Sequence, residues 1–357
     1  MAGEKIKVGI IGVGGVAQGH IGRLLGTHRV EIPAICDISE AMIQRTNEHH
    51  PRLAGKWRVY GDYRKMLKEE ELDAVSINTP HTLHFEQITA ALRRDLHVLT
   101  EKPMVCSVEH AEKVMRAAKR RKKVVMISYQ RHFLPPYRYV REQIGTGKHG
   151  PVHFISALQS QNWVPITRYW RGDPALSGGG QLNDSGSHLI DIILWMTELE
   201  PAQVHAYIDN RSTRVDILSA VSVKFTNGAL CNVSIIGDSV TWHEDISIWC
   251  EKAAFFIRGP HVIQADPEER IVDERDLPRG WDPDTNFVRA ILGEEEPQTP
   301  PECGLRVIQL TEAAWKSAKT GRPVTVARAK PKPKERAPKK KPKRRATNKT
   351  AKIRRRA

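Results

Sequence analysis

The chain has 357 residues, 40% of them hydrophobic and 27% charged, which is enough for two domains that each bury a core. The formal net charge is +15, but residues 328–357 alone hold 16 of the 56 Lys and Arg and one of the 41 acids, so the rest of the chain is formally neutral and its charge gives no sign of a nucleic-acid-binding body. Five cysteines without a Cys-x-x-Cys spacing argue against a disulfide framework or zinc ribbon and fit a reducing cytoplasm, and no apolar stretch is long enough to span a bilayer.

Residues 6–11, IKVGII, read as a buried strand. The stretch 5–15 is basic then apolar, as an export signal is, but Gly9, Gly12, Gly14 and Gly15 interrupt it, and it reads as a first strand and turn. Gly12-Val13-Gly14-Gly15-Val16-Ala17 follows, then a helix over 18–25, so Gly-x-Gly-x-x-Ala stands at a strand-to-helix junction. Gly12 permits the tight turn, Gly14 lets backbone approach a pyrophosphate, and Ala17 lets helix and strand pack closely. The free amides at the helix start are suited to phosphates. A second strand over 30–36 ends at Asp37, where a carboxylate accepts hydrogen bonds from the adenosine ribose hydroxyls. Ile38 follows instead of a basic residue, so the pattern favours NAD over NADP.

Strands over 59–60, 73–78, 96–100 and 124–128 alternate with helices over 63–70, 84–94 and 107–121, which predicts a right-handed, doubly wound parallel sheet. Three strand ends then face one crevice: 12–17, Asn78-Thr79-Pro80-His81, and Glu101-Lys102-Pro103. Lys102, at the carboxyl end of a buried strand, points into that crevice. His81 and His84 read as lining a nicotinamide pocket; no carboxylate or cysteine completes a ligand set beside them, so no metal site is predicted.

From Pro151 the pattern changes. A strand over 152–161 leads to an aromatic and basic stretch, WVPITRYWR, over 163–171. Gly178-Gly179-Gly180 follows, and then a helix that carries Asp184, His188 and Asp191 and runs to Met196. Spacings of four and three put the carboxylates and the imidazole on one helical face. Such a carboxylate–imidazole pair orients and tunes a histidine for proton transfer; the plain alternative is an N-cap aspartate and a packed histidine. Strands over 203–208, 218–225, 229–235, 245–249 and 253–257, with an Asn227-Gly228 turn, predict an antiparallel sheet. Its outer face carries Trp and Ile residues with nothing in the sequence to cover them, which predicts burial against a second subunit. Helices over 285–292 and 303–319 complete the body.

In this order the motifs resemble the glucose–fructose oxidoreductase/inositol dehydrogenase/rhizopine catabolism (Gfo/Idh/MocA) family: the glycine fingerprint, Thr79-Pro80 with His84, Glu101-Lys102-Pro103, and Gly178-Gly179-Gly180 with Asp184, Gly186, His188 and Asp191. The resemblance spans about residues 5–326. It implies an N-terminal Rossmann domain (1–128) and a C-terminal α/β domain with a large, open, mostly antiparallel sheet (129–327); by composition, a Lys/Arg/Pro-rich tail (328–357) lies outside both. The resemblance also implies Lys102, Asp184 and His188 as catalytic groups, and Gly12, Gly14, Gly15, Val16, Ala17, Asp37 and Asn78 to His81 around NAD. His84, Glu101, Gln130 with Arg131, and Trp170-Arg171 are also placed near cofactor or substrate. Trp163, Arg168 and Tyr169 are candidate sugar contacts, with a packed loop as the alternative.

The expected activity is oxidation of a ring secondary alcohol of a sugar or cyclitol by a cytoplasmic homo-dimer or homo-tetramer. His188, oriented by Asp184, removes the hydroxyl proton while Lys102 stabilises the alkoxide. A positive nicotinamide beside Lys102 favours the neutral amine, so Lys102 is a second candidate base. The tail has little apolar to bury and repeated Pro, so it is expected to be disordered and to contact polyanions through counterion release. The competing reading is an NAD-sensing regulator on the same fold with that tail on nucleic acid.

Overall fold

The computed structural model describes residues 5–327, which form one compact unit; the tail, with its expected disorder and polyanion contact, lies outside the described residues. In chain order the first elements are β1 (Ile6–Ile11), α1 (Gly15–Gly26), β2 (Val30–Glu31), β3 (Ala34–Cys36), α2 (Glu40–His49), β4 (Arg58–Tyr60), α3 (Tyr63–Glu69), β5 (Ala74–Ile77), α4 (His84–Arg93), β6 (His97–Thr100), α5 (Val108–Arg121) and β7 (Val125–Ile127). Their strands build a parallel sheet in the order β4-β3-β1-β5-β6-β7, with β2 paired to β1. β1 lies at the point where the strand order reverses, so the ends of β1 and β5 flank the crevice that such sheets use for ligands. The strand expected over 30–36 is two pieces, because Pro33 has no amide to donate: β2 pairs at Ile6↔Val30 and β3 at Ile10↔Ile35.

The second half contains α6 (Pro135–Gly145), β8 (Val152–Asn162), α7 (Pro174–Ser177), α8 (Ser185–Thr197), β9 (Pro201–Asp209), β10 (Leu218–Phe225), β11 (Leu230–Ile236), β12 (Asp238–Cys250), β13 (Ala254–Arg258), β14 (His261–Ala265), β15 (Glu269–Ile271), α9 (Pro283–Ile291), α10 (Pro301–Thr320) and β16 (Val324–Thr325). A nine-stranded sheet runs β15-β14-β13-β12-β8-β11-β10-β9-β16, antiparallel except for the β11–β8 pair. It is larger than expected: β14, β15 and β16 extend its edges, and β12 starts at Asp238.

β10 alternates buried and exposed residues along its length, so one face of this sheet is covered and the other is open. The covered face meets α8 and α10. α8 is apolar almost all round, with Leu189, Ile190, Ile192, Ile193 and Leu194 buried, as expected for a helix enclosed by other elements. α10 also packs on α5 and β7, which joins the two sheets through one helix. On the open face Tyr207 is 71% exposed, and Trp242, in the irregular start of β12, is 60% exposed. No described helix is long and apolar enough to cross a membrane.

Candidate active site

The loop after β1 has the geometry its glycines predict. Gly12 adopts φ +83°, and a Cβ there would lie 2.8 Å from the backbone C and O of Asn78, so only glycine fits between the ends of β1 and β5. Gly14 is the N-cap of α1 without a side-chain cap, and a Cβ on Gly14 or Gly15 would meet nothing within 4 Å. The first amides of α1 therefore open onto free space, as a phosphate site requires. Val16 is 45% exposed at this helix start, and Ala17 is fully buried beneath it.

Asp37, just past β3, accepts hydrogen bonds from the amides of Val13 (2.8 Å) and Ser39 (2.9 Å), which fixes its carboxylate beside the glycine loop. A cleft of about 650 Å³ runs over Gly12, Gly14, Asp37, Asn78, Pro80 and Trp170. Arg64, on α3, also lines it, a residue the sequence did not single out because it lies outside the strand–turn–helix–strand unit that ends at Asp37; its guanidinium pairs with Glu86 at 3.0 Å. The glycine cradle, the free amides and Asp37 together fit a dinucleotide.

Beyond the Trp170 end of the cleft stands a group of charged residues. Lys102 follows β6, and its Nζ is ion-paired with Asp184 Oδ1; Arg171 Nε donates to Asp184 Oδ2 at 2.6 Å. Asp184 holds the N-cap position of α8 but does not cap the helix; its side chain turns toward the two cations. Burial opposes its charge, yet Lys102 and Arg171 outweigh that and hold the carboxyl well below the usual carboxylate range.

His81 is buried, with Nδ1 3.0 Å from the Ser177 carbonyl, Nε2 3.8 Å from Asp184 and its ring edge-on to Trp170 at 4.8 Å. Burial pushes its pKa down to about 3, so the ring is neutral. His188 lies one turn into α8, with its ring 5.8 Å from that of Tyr129. Burial, reinforced by Lys102 and Arg131, holds its pKa well below the ordinary imidazole value.

Several expectations change in detail. The predicted Asp184–His188 pair gives way to Asp184 with Lys102 and Arg171, because the N-cap backbone (φ −81°, ψ −91°) is not helical and turns Asp184 off the His188 face. Asp191 pairs instead with His132, at 2.6 Å from its Nε2. His84 is fully buried between the carbonyls of Pro103 (2.8 Å) and Thr79 (2.9 Å), so it ties the ends of β5 and β6 together and does not line the cleft.

Trp163 is only 1% exposed and packs with Val215 and Ile217, which is the packed-loop alternative; Tyr169 is 72% exposed, and Arg168 beside it is also exposed. Gln130 is half-buried in a short turn before α6, and its neighbour Arg131 is ion-paired with Glu244. Arg131 Nη1 is buried without a hydrogen-bond partner. The sequence missed the cluster of His20, Glu101 and Asp284, whose members are separated by as many as 264 positions. Among the described residues, one group of possible metal-binding side chains occurs, His132, Asp191 and Cys303.

Comparison with known proteins agrees with this geometry. Residues 6–129 match the model of an oxidoreductase family with an NAD-binding Rossmann fold, and residues 137–256 match the GFO/IDH/MocA C-terminal domain. A 1-carboxy-3-chloro-3,4-dihydroxycyclohexa-1,5-diene dehydrogenase of Comamonas testosteroni is 24% identical over 77% of this chain and 72% of its own. The rhizopine catabolism protein MocA of Rhizobium meliloti is 30% identical over 55% of this chain and 59% of its own. Among solved structures, the WlbA dehydrogenase of Bordetella pertussis, in complex with NADH and UDP-GlcNAcA, superposes with a TM-score of 0.80 at 22% identity, over 91% of this chain and 100% of that one.

Proposed function

The chain belongs to the Gfo/Idh/MocA oxidoreductase family, with an NAD-binding Rossmann domain, and we propose that it oxidises a ring secondary alcohol of a sugar or cyclitol, with Lys102, Asp184 and His188 as its catalytic groups. The observation that carries the reading is the buried Lys102–Asp184–Arg171 group beyond the end of the dinucleotide cleft, on the far side of Trp170 and His81.

NAD, when bound, supplies the hydride acceptor; Gly12, Gly14 and Asp37 are the residues that hold it. Asp37, with both oxygens already set by backbone amides, favours ribose hydroxyls over a 2′-phosphate. Lys102 is the donor to the substrate oxygen, positioned by its ion pair with Asp184. His188 starts neutral and is the group free to take the hydroxyl proton. Arg171 keeps Asp184 in place from the opposite side, and exposed Arg168 and Tyr169 are rim contacts for a polyhydroxylated ring. The open face of the nine-stranded sheet supports association with a second copy. The test is a panel of inositols, hexoses, pentoses and uronic acids with NAD, followed by NADH absorbance; no NADH from any ring alcohol, with NAD bound, would overturn the reading.

A further inference from the structure

Adjoining Lys102 through Glu101 lies a charged cluster that the proposed mechanism does not use. His20, on α1, is completely buried. Its Nδ1 lies 2.6 Å from Asp284 Oδ1 and its Nε2 3.0 Å from Glu101 Oε1. The far oxygen of Asp284 accepts from Arg23 Nε at 2.6 Å, and the far oxygen of Glu101 accepts from the Lys102 amide at 3.2 Å. An ionised carboxylate only accepts, so a ring that meets one at each nitrogen donates from both and is an imidazolium.

We propose that His20 is a positioning residue for Lys102: clamped between Asp284 and Glu101, it holds the Glu101 carboxylate toward α1 and leaves the Lys102 ammonium to Asp184 and the substrate. Glu101 and Lys102 are chain neighbours, and both are largely buried. Without a cation behind it, Glu101 would turn to the nearest one, which is Lys102. The charged and titratable groups that act on Glu101 are His20 from α1, Lys102 beside it and His188 from α8. Its own charge is felt in turn by His84 on α4 and by Tyr129. Burial raises the Glu101 carboxyl, but His20 and Lys102 outweigh it and bring it down to about 2; burial likewise opposes the His20 imidazolium, but Asp284 and Glu101 raise it to about 9. The role assigned to Lys102 rests on the proposed function, whereas the test below needs no turnover.

The experiment compares full-length wild type, His20→Gln and the double variant His20→Gln/Glu101→Gln. Trace acylation with acetic anhydride at neutral pH, with and without NADH, is followed by peptide mass spectrometry at Lys102, with Lys68 as the exposed reference. The expected result is that His20→Gln slows Lys102 acylation on the order of tenfold relative to Lys68, the effect of one close, poorly screened carboxylate on the amine. The double variant, which removes both charges, returns the rate to within about threefold of wild type. If His20 only fills space, the double variant is as impaired as the single one. Equal Lys102 labelling in all three proteins overturns the proposal, and it does so whether or not a sugar substrate has been found. Should His20→Gln fail to fold, folding of the double variant still separates a charge role from a packing role.

Discussion

Replacing Lys102 with Met removes one charge from the site and keeps nearly all of the apolar stem. The structure sets the size of the effect on stability. Lys102 and Asp184 have side chains 13% and 4% exposed, so their ion pair is poorly screened. Deleting one member of a buried pair costs about 3–5 kcal/mol when its partner is left alone. Asp184 is not left alone, because Arg171 remains 2.6 Å away. The loss is therefore nearer that of one hydrogen bond to a charged group, about 1.5–3 kcal/mol, and the variant stays folded. The effect on catalysis is larger: removing a donor to a developing oxyanion costs about 10²–10³-fold in kcat. NADH affinity changes little, because the glycine loop and Asp37 belong to different strand ends. Fluorescence titration with NADH and steady-state kinetics on the best alcohol check both halves. Wild-type turnover by the Met variant would refute the assignment of Lys102, and an equal loss of NADH binding and turnover would make its role structural.

Gly12→Ala places a Cβ 2.8 Å from the Asn78 backbone at φ +83°, so NADH binding should weaken at least about tenfold while the far sheet stays folded, as read by titration and circular dichroism. Asp37→Ser with Ile38→Arg exchanges the ribose carboxylate for a cation at a residue 94% exposed, and the ratio of NAD to NADP affinity should fall by at least about 100-fold; an unchanged ratio means the cofactor lies elsewhere. His20 and Glu101 also make stability pH-dependent. His20 is raised from 6.5 to about 9, so its contribution is full below pH 6.5 and is lost as pH rises through 9. Glu101 is lowered from 4.5 to about 2, so its contribution is full above pH 4.5 and is lost as pH falls through 2. Urea unfolding of wild type should therefore weaken above pH 6.5, and His20→Gln should flatten that slope.

Features that depend on neighbouring residues were legible in the sequence, and features that depend on distant ones were not. Gly12, Gly14, Ala17 and Asp37 belong to one strand–turn–helix–strand unit, and their roles follow from local backbone geometry. Lys102 was legible as the end of a buried strand, yet its partner Asp184 is 82 positions away, and spacing alone paired that aspartate with the wrong group. The i, i+4 rule holds only inside a helix, and Asp184 stands one residue before it. α2 escaped notice because only Thr46 on it is buried, so it shows no apolar stripe, and α6 because two prolines open it. The edge strands β15 and β16 are two or three residues long, too short to show alternation.

The distant contacts explain why so many charges are buried in one place. From α1 to the loop before α8, cations and anions alternate: Arg23, Asp284, His20, Glu101, Lys102, Asp184, Arg171. An apolar core of the same volume would be as stable or more so, since desolvating each ion offsets most of the attraction it gains. Stability alone therefore does not account for this row. Order along it does: Asp284, His20 and Asp184 each touch an opposite charge on both sides, and Glu101 and Lys102, chain neighbours joined through the Lys102 amide, each pair away from the other. Lys102 follows a strand of the first sheet and pairs with the carboxylate at the start of the helix beneath the second, while Glu101 beside it is held by His20. A substrate oxygen arriving at Lys102 meets a donor whose direction was set before it bound, which is the form of preorganisation that lowers a barrier without reorganisation during the reaction.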